Sequence, residues 1–113
     1  MDCLFCKIIE KKIPAKIVFE DDSTLAFEDI NPQAPVHVLV IPKKHIATTL
    51  DINDEDNALL GRLVQTANRI ARERKVADTG FRTVMNCNKD AGQTVFHIHL
   101  HLLGGRAMHW PPG

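Results

Sequence analysis

The run Phe96-His97-Ile98-His99-Leu100-His101-Leu102, near the carboxyl end of the chain, decides the fold. Its alternation predicts a β-strand over residues 94 to 103, because successive side chains of a strand point to opposite faces. The histidines then form one row on one face, and the apolar residues form the other face. Because such an apolar face packs against a helix, the sequence predicts that the histidine row borders a pocket.

The segments upstream of this strand are predicted in the order helix, three strands, long helix and strand. A short helix over Leu4 to Ile9 should end before Pro14, and apolar residues recurring every three or four positions predict a long helix over 54 to 75. The composition of the remaining segments predicts strands at 16 to 20, 24 to 29, 36 to 41 and 81 to 87, the third of them central in the sheet.

This order favours an α+β domain. Consecutive hairpins and a single long helix indicate an antiparallel sheet with its helices on one face, which leaves the other face free to bind a ligand. No internal repeat or Gly/Ser linker interrupts the chain, so we expect residues 1–113 to form a single domain.

Composition narrows the possible partners. The 113 residues are 44% hydrophobic and 25% charged, which is ordinary globular usage. Lys plus Arg and Asp plus Glu each number 14, so the net charge is zero and a nucleic acid polymer is not an expected partner. Neither a signal peptide nor an apolar run of roughly 20 residues is present, so we expect a cytoplasmic protein without a membrane partner.

Three histidines in one row suit either a metal site or nucleophilic catalysis by imidazole. The residues before the row favour catalysis. Gly92, Gln93 and Thr94 supply an unobstructed backbone, an amide and a hydroxyl, all of which can donate to a phosphate oxygen or a leaving group. The strand has no acidic residue to support a hydrolytic metal.

The segment His97-Ile98-His99-Leu100-His101-Leu102-Leu103 resembles the signature of the histidine triad (HIT) nucleotide-binding family. Residues 27 to 35, 37 to 44, 92 to 95 and 104 to 113 are similar to its Hint branch, so the resemblance spans nearly the whole chain. It implies a HIT-like fold with five antiparallel strands, one long helix and one short helix. It also implies a homodimer in which two sheets join into one of ten strands.

The resemblance implies the hydrolysis of purine nucleoside phosphoramidates, such as adenylated amines, without a catalytic metal. His99 is then the nucleophile that forms a nucleotidyl-histidine, and its Nδ1 proton needs an acceptor, either a backbone carbonyl or His37. The other expected catalytic residues are His101, which donates to a phosphate oxygen, together with Thr94 and His97.

The resemblance also implies how a purine nucleotide such as AMP or GMP binds. Phe19, Phe27 and Ile30 would form an apolar slot for the base, although ordinary core packing is the alternative for these residues. Asp29 would accept from the ribose hydroxyls or, alternatively, cap a turn. The remaining expected contacts, with the sugar, the phosphate and the leaving group, are Asn86, Gly92, Gln93, Thr94, Val95, His99, His101 and Trp110.

Cys3 and Cys6 form a Cys-x-x-Cys pair. By resemblance to some bacterial HIT proteins, this pair would bind structural zinc together with His45 and His97, which closes a tetrahedral site. The alternative is that the cysteines serve as small buried apolar residues. Two rivals to the phosphoramidase function remain, namely a dinucleoside-polyphosphate hydrolase and a zinc-containing nucleotide-binding module with a regulatory role.

Overall fold

An antiparallel five-stranded sheet forms the centre of the computed structural model, which describes residues 2 to 113. The strands lie side by side in the order β1-β2-β3-β5-β4. Every residue of β3 is buried, which confirms its central position. The strand bounds are β1 Ile17–Glu20, β2 Thr24–Glu28, β3 Val36–Pro42, β4 Phe81–Val84 and β5 Leu100–Gly104.

The long helix α2, Asn57–Glu73, covers one face of the sheet. A short 3-10 turn, Asp54–Asp56, precedes it, and the Asp56 carboxylate accepts the backbone N–H of Asn53 at 3.0 Å. The helix packs its apolar stripe on alternate residues of the inner strands. The buried residues of this layer include Leu63, Ala67, Ile70, Ala71, Val38, Val40, Ile98, Leu100 and Leu102.

The short helix α1, Leu4–Ile9, lies on the opposite face. Phe5 and Ile8 pack there on a second cluster that includes Phe27 and Leu39. The expectation that both helices share one face was therefore wrong. The physical reason is that β2 and β3 are apolar on both faces, so each face needs a cover.

An irregularity in β1 changes the direction of one side chain. Ile17 pairs with Phe27, but Phe19 pairs with Ala26, so one extra residue is accommodated between the two pairs. Directly opposed residues share a face, so Phe19 points to the α2 side with Ala26. There the guanidinium of Arg69 stacks 5.0 Å from the centre of its ring.

The last two strands are shorter than predicted. β4 ends at Val84 and β5 begins at Leu100, while residues 94 to 99 are irregular. The Ile98 N–H donates to the Ile46 carbonyl instead of to a strand, and Phe96 is 49% exposed instead of joining the core. No helix within residues 2 to 113 is long and apolar enough to cross a membrane.

Candidate active site

A pocket of about 420 Å³ opens between α1, the end of β2 and the segment before β5. Most of the residues that the sequence assigns to nucleotide binding line this pocket. They are Phe27, Asp29, Ile30, Asn86, Gly92, Thr94, Val95, His99 and His101. The pocket therefore lies on the sheet face opposite α2, where the sequence predicts it.

The apolar wall of the pocket contains residues that the sequence reasoning did not assign to it. α1 contributes Phe5 and Ile8, and Ile13 follows on the next turn of chain. Leu39 of β3 completes the wall from the sheet side. One signal was available in the sequence. Leu39 lies two residues after His37 on the same strand, so the two side chains share a face. The apolar stripe of α1, however, is equally consistent with plain core.

His99 is held in one tautomer. Its Nδ1 lies 2.8 Å from the carbonyl oxygen of His97, an acceptor, so this nitrogen carries the proton. Of the two acceptors expected for this proton, the backbone carbonyl is the one present. The other nitrogen, Nε2, therefore keeps its lone pair, and His99 lines the pocket. A buried imidazole with its proton on Nδ1 and its lone pair on Nε2 has the requirements of a nucleophile.

A second chain of hydrogen bonds fixes His37 and His101. The backbone N–H of Gln33 donates to Nδ1 of His37 at 3.0 Å, so the proton of His37 sits on Nε2. That Nε2 lies 2.9 Å from Nδ1 of His101, which must therefore accept. His101 consequently carries its own proton on Nε2. The backbone N–H of Gln33 thus determines, through the ring of His37, that Nε2 of His101 is a hydrogen-bond donor.

Asp29 both caps a turn and lines the pocket. One of its carboxylate oxygens accepts the Asn31 N–H at 2.8 Å, and the other lies 3.4 Å from Nε2 of His37. Asp29, His37 and His101 bring three potential metal ligands together. The tautomer of His37 argues against a metal there, because the proton on its Nε2 occupies the position that a cation would need.

Burial favours the neutral form of two of these imidazoles, those of His37 and His101. It lowers the pKa of His101 to about 4, and the adjacent rings of His99 and His37 add to the effect, while Asp29 opposes it. Burial also lowers the pKa of His37, against the opposing charge of Asp29. His101 is therefore a neutral hydrogen-bond donor near pH 7, not an imidazolium.

The segment before β5 presents backbone donors to the pocket. Gly92 has a φ of +94°, a conformation that favours glycine, and its N–H donates to the Lys89 carbonyl. The N–H groups of Thr94 and Val95 have no protein acceptor in the part of the chain that the structure describes. Both residues line the pocket beside His99, so these donors are available to an anionic ligand.

Five of the residues predicted for catalysis or nucleotide binding do not line the pocket, namely Phe19, His37, Gln93, His97 and Trp110. Phe19 is on the α2 side of the sheet because of the irregularity in β1, so its assignment to the base slot is corrected. Trp110 is 82% exposed in the tail that follows β5. Gln93 is buried, and its amide bonds to backbone atoms of Asn88, Ala47 and Val95. His97 is turned toward the cysteines.

Cys3, Cys6, His45 and His97 form a compact cluster whose ligand atoms all lie within 4.8 Å of one another. The Nδ1 atoms of the two histidines are 3.1 Å apart. Nδ1 of His97 lies 3.5 Å from the Cys3 sulfur and 3.6 Å from the Cys6 sulfur, and Nδ1 of His45 lies 3.4 Å from the Cys6 sulfur.

These distances fit tetrahedral zinc. Bonds of about 2.3 Å to sulfur and about 2.0 Å to nitrogen place tetrahedral ligands roughly 3.3 to 3.8 Å apart. Nε2 of His97 lies 2.8 Å from the Pro42 carbonyl, so it carries the proton and Nδ1 is free to coordinate. Burial and the neighbouring Cys3 raise the pKa of the Cys6 thiol to about 11, so a cation is what would convert it to a thiolate.

The sequence matches the model of the HIT domain over residues 10–108. It is 54% identical to an uncharacterized HIT-like protein of Synechococcus elongatus over 112 residues, which are 99% of this chain and 97% of that protein. It is 47% identical to the purine nucleoside phosphoramidase of Escherichia coli over 107 residues, which are 95% of this chain and 90% of the enzyme.

The fold matches solved structures over the same extent. A HIT family hydrolase from Legionella pneumophila superposes with a TM-score of 0.98 at 56% identity, covering 99% of this chain and all of that one. A histidine triad protein from Clostridium difficile gives a TM-score of 0.93 at 46% identity, with 96% and 95% coverage. With His99 and His101 lining the pocket and the family model matched over most of its length, the chain belongs to the HIT family of hydrolases.

Proposed function

We propose that this protein hydrolyses purine nucleoside phosphoramidates to a nucleoside monophosphate and an amine through a nucleotidyl-histidine. The observation that carries the proposal is the fixed tautomer of His99, whose Nδ1–H donates to the His97 carbonyl while its Nε2 lone pair is free. The phosphoramidase of Escherichia coli, at 47% identity, supports the choice of substrate class.

In the first step, Nε2 of His99 attacks the α-phosphorus and the phosphorus–nitrogen bond to the amine breaks. The amine leaves with its electron pair after taking up a proton, and the Thr94 hydroxyl on the pocket wall is the group suited to assist it. The ring of His99 becomes cationic, and the carbonyl that accepts its Nδ1–H stabilises that charge.

The negative charge on the phosphoryl oxygens requires donors in the same pocket. Nε2–H of His101 is one, because its other nitrogen accepts from His37. The N–H groups of Thr94 and Val95 are two more. In the second step, water attacks the phosphorus, the bond to Nε2 breaks, one water proton is released, and His99 regains its neutral form.

The nucleoside part fits the remaining walls. Phe5, Phe27 and Ile30 offer an apolar slot for a purine, and the Asp29 carboxylate can accept from a ribose diol. Asn86 lies on the same wall and is suited to the sugar and phosphate. We further propose a homodimer, in which Trp110, exposed in one chain, reaches the partner's pocket.

We also propose that Cys3, Cys6, His45 and His97 hold a structural zinc ion. Four protein ligands leave no position for water, so the ion would supply folding energy and no catalytic step. His97 then belongs to the metal site and contributes to the reaction through its carbonyl, which accepts from His99.

The test is the steady-state hydrolysis of adenosine 5′-phosphoramidate by the wild type and by His99→Ala, each with and without a zinc chelator. We expect the substitution to reduce kcat by at least about 10⁴-fold, since the nucleophile is gone, while AMP still binds. The chelator should leave the initial rate of the wild type nearly unchanged.

His109→Ala is the matched control, because this exposed histidine lies outside the pocket. Its kcat should stay within twofold of the wild type. A faster wild-type rate on diadenosine polyphosphates would favour the dinucleoside hydrolase instead. AMP binding without turnover of either substrate would refute the enzymatic proposal and leave a nucleotide-binding module.

A further inference from the structure

The segment that follows β5 docks on the loop that precedes β3. Nε of Arg106 donates to the Gln33 carbonyl at 3.0 Å, and its Nη1 donates to the Ala107 carbonyl at 3.1 Å. Gly105 has a φ of +91°, and a Cβ built on it would lie 2.9 Å from Cβ of Pro35. The loop and the segment are thus in close contact beside the Arg106 bond.

Gln33 connects this contact to the active site. Its carbonyl accepts from Arg106, while its N–H donates to Nδ1 of His37. The Gln33 side chain donates to the Asn31 carbonyl and closes the loop on itself. Residues 31 to 34 belong to no helix or strand, so hydrogen bonds such as these help to hold the Gln33 N–H in place.

That N–H, 3.0 Å from Nδ1, sets the tautomer of His37 together with the Asp29 carboxylate, which lies 3.4 Å from Nε2. With the donor in place, the proton of His37 must sit on Nε2, facing Nδ1 of His101. With the donor displaced, the proton can move to Nδ1. Nε2 of His37 would then present a lone pair to Nδ1 of His101, and the His101 proton would turn toward His37 and away from the pocket.

We propose that Arg106 is a positioning residue, which holds Gln33 in the place that keeps His37 and His101 protonated on Nε2. The contact joins residues 73 positions apart in the sequence and reaches the catalytic ring through one backbone residue. The kinetic consequence rests on the proposed phosphoramidase function, whereas the tautomer consequence does not.

The experiment compares Arg106→Met, Arg106→Lys and Arg82→Met by two readouts. Long-range ¹H–¹⁵N NMR reports which nitrogen of His37 and of His101 is protonated, and steady-state kinetics with adenosine 5′-phosphoramidate gives kcat and KM. Arg82→Met is the matched control, since Arg82 also donates to a backbone carbonyl of the tail, that of His109, but not to Gln33.

In Arg106→Met we expect a mixture of His37 tautomers and a kcat about fivefold lower, the factor that one ordinary hydrogen bond contributes. KM should change less than twofold, because the base slot is untouched. Lysine retains a donor that can reach the carbonyl, so Arg106→Lys should recover at least half of kcat. Arg82→Met should keep the wild-type NMR signature.

A single Nε2-protonated His37 in Arg106→Met would overturn the proposal. So would the same tautomer mixture in Arg82→Met, because the effect would then arise from loosening the tail in general. If the wild type shows no turnover at all, the proposed function fails, yet the NMR comparison still decides the role of Arg106.

Discussion

At the scale of single residues, three histidines near the pocket differ in the hydrogen-bond partner that fixes their tautomer. His99 donates to the His97 carbonyl, His101 accepts from His37, and His97 donates to the Pro42 carbonyl. One side-chain type therefore supplies a candidate nucleophile, a donor and a metal ligand. The backbone, through its N–H and carbonyl groups, assigns each ring its tautomer.

Protonation of His101 should make stability depend on pH. Its pKa in the folded protein is about 4, below the value of about 6.5 expected for the unfolded chain, so the unfolded chain binds more protons between these values. The free energy of unfolding should therefore fall as pH drops from about 6.5 to about 4, by at most about 3 kcal/mol from this group. His37 acts in the same direction.

Urea denaturation at half-unit pH steps measures this dependence. His101→Asn is the comparison, because the Asn carbonyl can still accept from His37 but does not titrate. Its free energy of unfolding should decline less steeply over the same pH range. Parallel curves for the two proteins would contradict the assignment of the lowered pKa to His101.

Two phenylalanines test the corrected base slot. Phe5 lines the pocket, whereas Phe19 lies on the α2 side under Arg69. Phe5→Leu should raise the Kd for AMP roughly fivefold, since the loss of an aromatic contact with a base costs about 1 kcal/mol. Phe19→Leu should change that Kd less than twofold and instead lower the free energy of unfolding by about 1 kcal/mol. Calorimetric titration with AMP would measure both, and equal effects on Kd would contradict the corrected slot.

At the scale of elements, α1 is the part of the site that depends most on its surroundings. Its six residues are too few for a stable isolated helix, so contacts with the sheet must hold it in place. Phe5 and Ile8 supply apolar contacts, and Cys3 and Cys6 connect it to His45 and His97. Because Phe5 and Ile8 also form a wall of the pocket, anchoring α1 shapes the pocket in which we propose that the nucleotide binds.

Zinc binding is therefore expected to stabilise the fold. The purified protein should contain one zinc ion per chain, and removal of the ion by a chelator should lower Tm by on the order of 10 °C. Metal analysis by mass spectrometry and differential scanning calorimetry measure the two quantities. Cys6→Ser should lose the ion, because it removes one of the four ligands.

Cys87→Ser is the matched control for this substitution, since Cys87 is a free thiol outside the cluster. It should keep the zinc content of the wild type. A metal-free wild type whose Tm does not respond to the chelator would contradict the zinc proposal. The cluster would then be a set of hydrogen-bonded thiols and imidazoles.

At the scale of the whole molecule, β4 forms one edge of the sheet, and no strand within residues 2 to 113 covers it. The tail after β5 leaves Trp110 exposed, whereas tryptophan is highly buried on average. Both features are consistent with a partner that the resemblance to the Hint branch implies, a second copy of the chain joined at the sheet edge.

Sedimentation equilibrium should therefore report a particle of two chains at micromolar concentration. Dilution into the range where the particle dissociates should lower the specific activity on adenosine 5′-phosphoramidate, because Trp110 would no longer reach the neighbouring pocket. A monomer with undiminished activity would contradict the homodimer. Trp110→Ala separates the contribution of the side chain, since it should lower the activity of the dimer while leaving the sedimentation unchanged.

The sequence by itself determined the element order, the central position of β3 and the face that carries the histidines, because each follows from local periodicity and composition. The resemblance to the Hint branch also implied most of the pocket residues, such as Phe27 and His101. The HIT-like character of the sheet could be stated from the signature around His99.

Only the tertiary structure decided the rest. The irregularity in β1 reversed Phe19, and the position of α1 brought Phe5 and Ile8 into the pocket. A contact between distant segments, that of His37 with His101, fixed which nitrogen of His101 carries the proton. These features depend on hydrogen bonds and packing between residues far apart in the chain, and no local pattern of residues encodes them.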